Sequence, residues 1–200
     1  MSTPSTPGNN PVTTRTVAEF IAAMKSPDDT IRGPAWQTAS SYGSAAVQPL
    51  AGLLGDPNFE VARAAKRALY LIVRHSDRPG ANQETQSVET ALLNALHQPG
   101  SVAQREILWM LSEIGTDRSL PSMAVLLRTP EVREDARCAI TRLPGKRATA
   151  ALRAAFKAAP KDFKYALADS LRQRGEKVEG YPSQTSVPTR PTKVEPASGK

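Results

Sequence analysis

The chain has 200 residues, one cysteine, 5% aromatic residues and a formal net charge of +7 at pH 7. This length allows a sizeable domain with a substantial core. A single cysteine excludes an internal disulfide, and no run of about eighteen apolar residues occurs that could span a membrane.

Both ends of the chain are polar. Residues 1–14 are rich in Ser, Thr, Pro and Asn, and they lack the basic start and apolar run of a secretory signal. Residues 180–200 carry several prolines and few large apolar side chains. Neither segment can bury enough apolar surface to order itself, so we predict two disordered tails. We expect one folded domain over residues 15–179 and a cytoplasmic location.

Prolines and glycines divide this domain into blocks of roughly 30 residues. Proline is tolerated in the first turn of a helix and glycine often ends one, so each block from proline to glycine predicts a helix. The prolines are Pro27, Pro57, Pro99, Pro130 and Pro160, and the glycines are Gly43, Gly115, Gly145 and Gly175. The second block lacks its final glycine and runs on toward His75.

Each of these helices carries an apolar stripe. It begins at an anchor residue and continues with apolar or small residues four, seven and eight positions later, which places them on one helix face. The anchors in chain order are Ile31, Val61, Ala103, Val132 and Phe163.

A shorter amphipathic segment precedes each block, so the helices are expected in pairs that must stack to bury their stripes. In chain order these first helices are predicted at 16–25, 44–54, 86–97, 117–128 and 146–158. The longer interval between the second and third pairs is explained by a polar inserted loop at 77–86.

The blocks IRGPAWQTASSYG, AQREILWMLSEIG and VREDARCAITRLPG resemble the short HEAT repeats, of the kind also found in phycobilisome-lyase-like proteins. The resemblance covers roughly residues 15–176. It implies an all-α fold, a right-handed α-solenoid of about five helix pairs whose second helices line a concave surface. It also implies a structural ladder of basic and acidic residues, here Arg32, Arg133 and Lys164 with Asp29, Glu131 and Asp162.

The candidate binding site lies on the second helices, at positions that point away from the apolar stripe. Arginines and aromatic residues at such a surface fit either phosphate contact with stacking or a protein hot spot. The partner-binding candidates are Arg63, Arg67, Tyr70, Arg105 and Trp109. Trp109 could instead be a core residue of its apolar helix, and Trp36 is interpreted as core packing.

A secondary basic patch is predicted near the C-terminal end, as an electrostatic site or a soluble cap. It consists of Lys146, Arg147, Arg153, Lys157, Lys161 and Lys164.

No catalytic motif is found in the sequence. It contains no P-loop, GxGxxG or GxSxG element, and His75 and His97 are interpreted as residues that end helices. Cys138 lies near Arg137 and Arg142, but a lone helical cysteine is more often a small packing residue. We expect no catalytic residue, cofactor, metal or small-molecule substrate.

The sequence therefore favours a non-catalytic scaffold that binds a protein partner, with no membrane contact. Nucleic-acid binding is the alternative, possibly in relation to the alkylpurine DNA glycosylases, whose basic helical-repeat surface is echoed by Trp109 and Glu113. A bilin lyase or isomerase accessory role is a third hypothesis, which rests on the repeat alone.

Overall fold

A computed structural model describes residues 16–98 and 100–183, and every regular element in these ranges is helical. The all-α prediction is confirmed. The predicted N-terminal tail and residues 184–200 of the predicted C-terminal tail lie outside the described residues. In chain order the α-helices are α1 (Val17–Met24), α2 (Asp29–Gln37), α3 (Val47–Ala51), α4 (Phe59–Ser76), α5 (Asn82–Leu96), α6 (Ser101–Ile114), α7 (Leu120–Leu126), α8 (Arg133–Arg142), α9 (Lys146–Ala158) and α10 (Lys161–Gln173).

The helices pack in consecutive pairs. Helix α1 contacts α2, α3 contacts α4, α5 contacts α6, α7 contacts α8, and α9 contacts α10. The even-numbered helices also contact one another in chain order, and we call this series α2–α4–α6–α8–α10 the second-helix row. The row brings side chains from successive pairs to neighbouring positions. None of the helices in the described part of the chain is long and apolar enough to cross a bilayer.

The predicted apolar stripe forms the core in the second to fifth blocks. Val61, Val132 and Phe163 are at most 3% exposed. The stripe positions four, seven and eight residues after each anchor are also buried in these blocks. Ala103, the anchor of the third block, is partly buried. Burial of this stripe in the second to fifth pairs holds their helices together.

The first block departs from the pattern. Its predicted anchor Ile31 is 45% exposed, whereas the neighbouring Arg32 is only 4% exposed. Asp28 caps α2 by accepting a hydrogen bond from the Thr30 amide at 2.8 Å, and this sets where the helix begins. The Arg32 guanidinium is buried because it pairs with the Asp29 carboxylate and donates to the Ser26 carbonyl.

The segment before α4 is also less regular than predicted. In place of one helix over 44–54, a 3-10 helix spans Ala39–Ala46 and the short α3 follows it. Gly43 adopts φ 53° inside the 3-10 segment, which breaks the helical path. Pro49 lies in the first turn of α3, where its missing backbone N–H costs no hydrogen bond within the helix.

The inserted loop is shorter than the predicted 77–86, because α5 begins at Asn82. The Arg78 guanidinium contacts both carboxylate oxygens of Glu84, at 2.7 and 2.5 Å. The Thr85 hydroxyl donates to the Ser76 carbonyl at 2.7 Å. These contacts tie the first turn of α5 to the end of α4. Residues predicted to lie in the loop are therefore helical.

Ion pairs connect successive helices of the second-helix row. Lys66 on α4 pairs with Glu106 on α6 at 2.6 Å. Arg105 on α6 contacts the Asp135 carboxylate of α8 at 3.5 Å, and also donates to the Glu131 carbonyl at 2.7 Å. Arg133 pairs with Asp162 on α10 at 2.6 Å. Of the residues expected in the ladder, only Arg133 and Asp162 form an ion pair between neighbouring helix pairs. Arg32 pairs with Asp29 within α2, Glu131 takes part through its backbone, and Lys164 contacts an aromatic ring instead.

Residues 180–183, assigned to the C-terminal tail by the sequence, pack against the last helix pair. The Tyr181 ring lies 5.2 Å from that of Phe156 and 5.3 Å from that of Tyr165, both in edge-to-face geometry. The Arg172 guanidinium donates to the Tyr181 carbonyl at 2.8 Å. This segment partly covers the end of the helix series.

Candidate binding groove

Helix α4 presents one polar and aromatic edge along its whole length. Residues spaced by three and four positions lie on the same side of a helix. Arg63, Arg67, Tyr70 and Arg74 follow this spacing, while the opposite side of α4 is buried. Asn58 caps the helix by accepting from the Glu60 amide at 3.0 Å, so the position of this edge is set by the start of α4.

A groove of about 890 Å³ lies along this edge. Its walls come from α2, the segment before α4, α4 itself and α6. Arg63, Arg67 and Tyr70, three of the five partner-binding candidates, line it. Phe59 and Val102 also line it and are 71% and 53% exposed. Exposed apolar side chains beside cations are typical of a surface that binds a partner.

The cations of the groove lie over its aromatic rings. The Arg67 guanidinium carbon is 5.4 Å from the centre of the Trp36 ring, and that of Arg74 is 5.5 Å from the centre of Tyr70. Arg63 lies 5.7 Å from the centre of Phe59. Cation–π attraction at these distances restrains the arginine side chains. The groove therefore presents partly ordered positive charges.

Two of the cations in the groove are paired with carboxylates and two are not. Arg63 is paired with Glu60, and Lys66 is paired with Glu106. Arg67 and Arg74 are exposed and have no carboxylate partner among the residues that the structure describes. Their charges are available to an anionic group from outside the chain.

Tyr70 lies between Lys66 and Arg74 and is half-buried. Burial, together with the negative charges of Glu106 and Glu113, raises the pKa of Tyr70 to about 12. The phenol therefore stays protonated near neutral pH. Its hydroxyl donates a hydrogen bond to Glu106, and it cannot serve as a base near neutral pH.

Arg105 and Trp109, the other two candidates, lie outside the lining of this groove. Arg105 is engaged by Asp135 and the Glu131 carbonyl. Trp109 is 44% exposed, and the Arg142 guanidinium lies 4.8 Å from its ring centre. The predicted cluster is therefore divided between the groove and a separate Trp109–Arg142 pair further along the second-helix row.

Sequence reasoning missed two groove residues. Trp36 packs against the core, as the sequence indicates, but it also lines the groove and supports Arg67, which the sequence does not indicate. Phe59 was not singled out, although it follows a good capping residue and begins α4. A large apolar residue at the first position of a helix, ahead of the buried stripe, was the available signal for Phe59.

The secondary basic patch is spread over α9 and α10. Arg153 pairs with Glu176 at 2.7 Å, and Arg147 lies 3.7 Å from Asp117. Lys164 contacts the Phe156 ring at 5.7 Å. Lys146, Lys157 and Lys161 are exposed. Two of the six cations are thus paired with a carboxylate, and none of the six lines the groove along α4.

The cysteine and the histidines belong to no metal-binding cluster in the described part of the chain. Cys138 is exposed and contacts Arg137 at 3.3 Å. His75 lies in the last turn of α4, and His97 is the residue after α5. Among the described residues, no group of three or more His, Cys, Asp or Glu side chains is placed to hold a metal ion.

Comparison with known proteins adds little to this geometry. No protein-family model matches the chain, and no curated protein matches it. A similar solved structure is the crystal structure of an engineered protein from a structural genomics consortium. It is 20% identical, with 78% of each chain covered and a TM-score of 0.41.

Proposed function

We propose that this protein is a non-catalytic scaffold that binds a protein partner in the groove along α4. The proposal includes a right-handed α-solenoid of HEAT-like helix pairs, with the second-helix row as its concave surface, and a cytoplasmic location. The observation that carries the binding role is the groove itself. It combines the exposed Phe59 and Val102 with Arg67 and Arg74, which lack carboxylate partners in the described residues.

The packing of the helices supports the solenoid part of the proposal. Each pair contacts the next, in part through the second-helix row, and three ion pairs follow that row. The second and third pairs also meet through α3 and α5. Repeats that bury their apolar faces only against neighbours produce extended surfaces of this kind. Such surfaces suit a protein or peptide partner.

Nucleic-acid binding is the second candidate, because basic and aromatic side chains share the groove. One face of Trp36 and of Tyr70 is, however, already occupied by an arginine of the chain itself. The glycosylase variant of this hypothesis relies on Trp109 and Glu113, and Trp109 is likewise covered by Arg142. These contacts reduce the aromatic surface on which a base could stack.

Site-specific photo-cross-linking tests the proposal. A photoreactive phenylalanine analogue would replace Phe59 in the groove, in the native host, followed by nuclease treatment and mass spectrometry. The matched control places the same analogue at Val125 on α7, which is 66% exposed and lies outside the groove. We expect a defined protein adduct at position 59 that is absent at position 125 and is lost with Arg67→Glu.

The same experiment separates the two candidates. Equal protein adducts at both positions, or adducts that survive Arg67→Glu, would contradict binding in the groove. An adduct at position 59 that nuclease removes and protease does not would favour nucleic acid over a protein partner.

A further inference from the structure

We infer that the occupant of the groove is an acidic amphipathic helix, held by one carboxylate at Arg67 and a second carboxylate at Arg74. This inference rests on the proposed protein-binding function and specifies the chemistry of the partner. It follows from the charge state, the spacing and the apolar surroundings of these two arginines.

The two arginines are the unneutralised cations of the groove. Arg63 and Lys66 line the same groove, but Glu60 and Glu106 already neutralise them. A guanidinium held over an aromatic face keeps N–H groups along its rim, and two of these match the oxygens of one carboxylate. Trp36 and Tyr70 therefore hold Arg67 and Arg74 ready for carboxylate binding.

The spacing of the two arginines selects the form of the ligand. They are seven residues apart on α4, which corresponds to two turns and a separation of about 10.5 Å on one side of the helix. Two acidic residues at positions i and i+7 of a partner helix have the same separation and the same sidedness. A partner helix lying along α4 would thus place one carboxylate at each arginine.

The surface between the two arginines favours apolar side chains on the partner. Tyr70 and Leu71 lie there, three and four residues after Arg67, and both are partly buried in the groove. The groove continues past Arg63 to the exposed Phe59 and Val102, in the first turns of α4 and α6. Positions i+3 and i+4 of the partner helix fall on the same side as its two acidic residues. Apolar residues there would cover this surface and remove it from water.

The same charges disfavour a polyanion such as nucleic acid. Asp56 and Glu106 also line the groove, and Glu60 lies beside Arg63. Glu60 and Glu106 neutralise Arg63 and Lys66, and Asp56 adds a negative charge, so Arg67 and Arg74 are the two unpaired cations of the groove among the described residues. A continuous row of phosphates would therefore meet few unpaired cations there, whereas two carboxylates require only these two.

Binding of a designed peptide tests the inference. The probe is a fluorescein-labelled, Ala-rich helical peptide of about 15 residues, a length at which such helices begin to be stable. It carries Glu at positions i and i+7 and Leu at i+3 and i+4, and its matched control replaces both Glu by Gln. Fluorescence anisotropy would be measured with the full chain and with Arg67→Gln/Arg74→Gln.

We expect the Glu peptide to bind the wild-type chain at least about tenfold more tightly than the Gln peptide, since charged hydrogen bonds contribute more than neutral ones. The double variant should lose this preference. The control Arg118→Gln/Arg128→Gln removes the same amount of charge from exposed sites outside the groove. This control should keep the preference for the Glu peptide. Arg67→Glu/Arg74→Glu should bind a peptide with Lys at i and i+7, which shows that the variant remains folded.

Three results would overturn the inference. The Glu and Gln peptides could bind equally, the double variant could bind as well as the wild type, or an oligo(dT) single strand could bind more tightly than the Glu peptide. If the photo-cross-link at position 59 still forms while the Glu peptide fails to bind, the scaffold proposal stands and the acidic-helix inference alone falls.

Discussion

At the scale of single residues, the buried Glu89 side chain fastens the segment between α6 and α7 to α5. Its side chain is 1% exposed and lies on α5. Its Oε1 accepts hydrogen bonds from the Thr116 amide and hydroxyl, both at 2.8 Å, and from the Ser119 hydroxyl at 2.6 Å. Its Oε2 is buried without a hydrogen-bond partner in the described part of the chain. One carboxylate oxygen thus holds the α6–α7 connection against α5.

We expect Glu89→Ala to lower the free energy of unfolding by about 3 kcal/mol, because the change leaves buried donors without an acceptor. Glu89→Gln keeps an acceptor oxygen and should cost less. Urea unfolding measures both effects. The control Glu113→Ala removes an exposed carboxylate and should change stability by at most about 0.5 kcal/mol. Equal effects of Glu89→Ala and Glu113→Ala would contradict the structural role of Glu89.

Gly115 is a second residue whose replacement should be costly. A Cβ atom at this position would lie 2.2 Å from the Leu111 carbonyl oxygen, and the Gly115 amide donates to that same oxygen at 2.8 Å. We expect Gly115→Ala to destabilise the fold by about 2 kcal/mol, since the end of α6 must shift. Gly33 in α2 has open space around its Cα, so Gly33→Ala should be neutral or slightly stabilising. Thermal unfolding of Gly115→Ala and Gly33→Ala measures the stability of each relative to the wild type.

At the scale of elements, the ion pair between α8 and α10 predicts a pH dependence. The hydrogen bond from Arg133 holds the pKa of the Asp162 carboxyl below its usual value of 3.8. A carboxyl whose pKa is lowered on folding stabilises the fold at neutral pH. This contribution disappears as the pH falls through the folded-state pKa, because the carboxylate is then protonated.

We therefore expect Asp162→Asn to lower the Tm by about 1–2 °C at pH 7, an amount typical of an exposed ion pair. The difference from the wild type should vanish at acid pH. Calorimetry at several pH values measures the Tm difference. The control is Glu179→Gln, because Glu179 is exposed and has no ion pair among the described residues. A Tm difference that persists at low pH would show that Arg133–Asp162 is not its source.

At the scale of the whole molecule, the periodic features were predictable from the sequence and the non-periodic ones were not. The buried stripe repeats with the helical period, so Val61, Val132 and Phe163 could be assigned to the core. Ile31 could not, because Asp28 sets the start of α2 and Arg32 takes the buried position. Local hydrogen bonds there outweigh the apolar pattern.

In the candidate site, too, the features that repeat with the helical period could be predicted and the contacts between helices could not. The spacing of Arg63, Arg67 and Tyr70 on one helix placed them correctly on one edge of α4. Which residues face them from other helices depends on packing that the sequence does not display. The positions of Trp36 over Arg67 and of Arg142 over Trp109 are therefore results of the structure alone.

The C-terminal end of the helix series leads to the last prediction. Repeat arrays need their final apolar surface covered, and residues 178–183 partly cover it here. Tyr181 packs its ring against Phe156 and Tyr165, and Arg172 binds its carbonyl. Burial of a tyrosine with two aromatic contacts contributes about 2 kcal/mol.

A chain ending at residue 177 should therefore unfold about 5 °C below a chain ending at residue 183, since about 2 kcal/mol corresponds to a shift of this size for a protein of this length. Tyr181→Ala in the full chain should reproduce most of the loss, because the tyrosine supplies the aromatic contacts. Circular dichroism melts of the two shortened chains, of Tyr181→Ala and of the full wild-type chain measure these differences. If the shorter chain and Tyr181→Ala both melt with the wild type, the last helix pair is stable without this cover, and the contacts of Tyr181 do not contribute to folding.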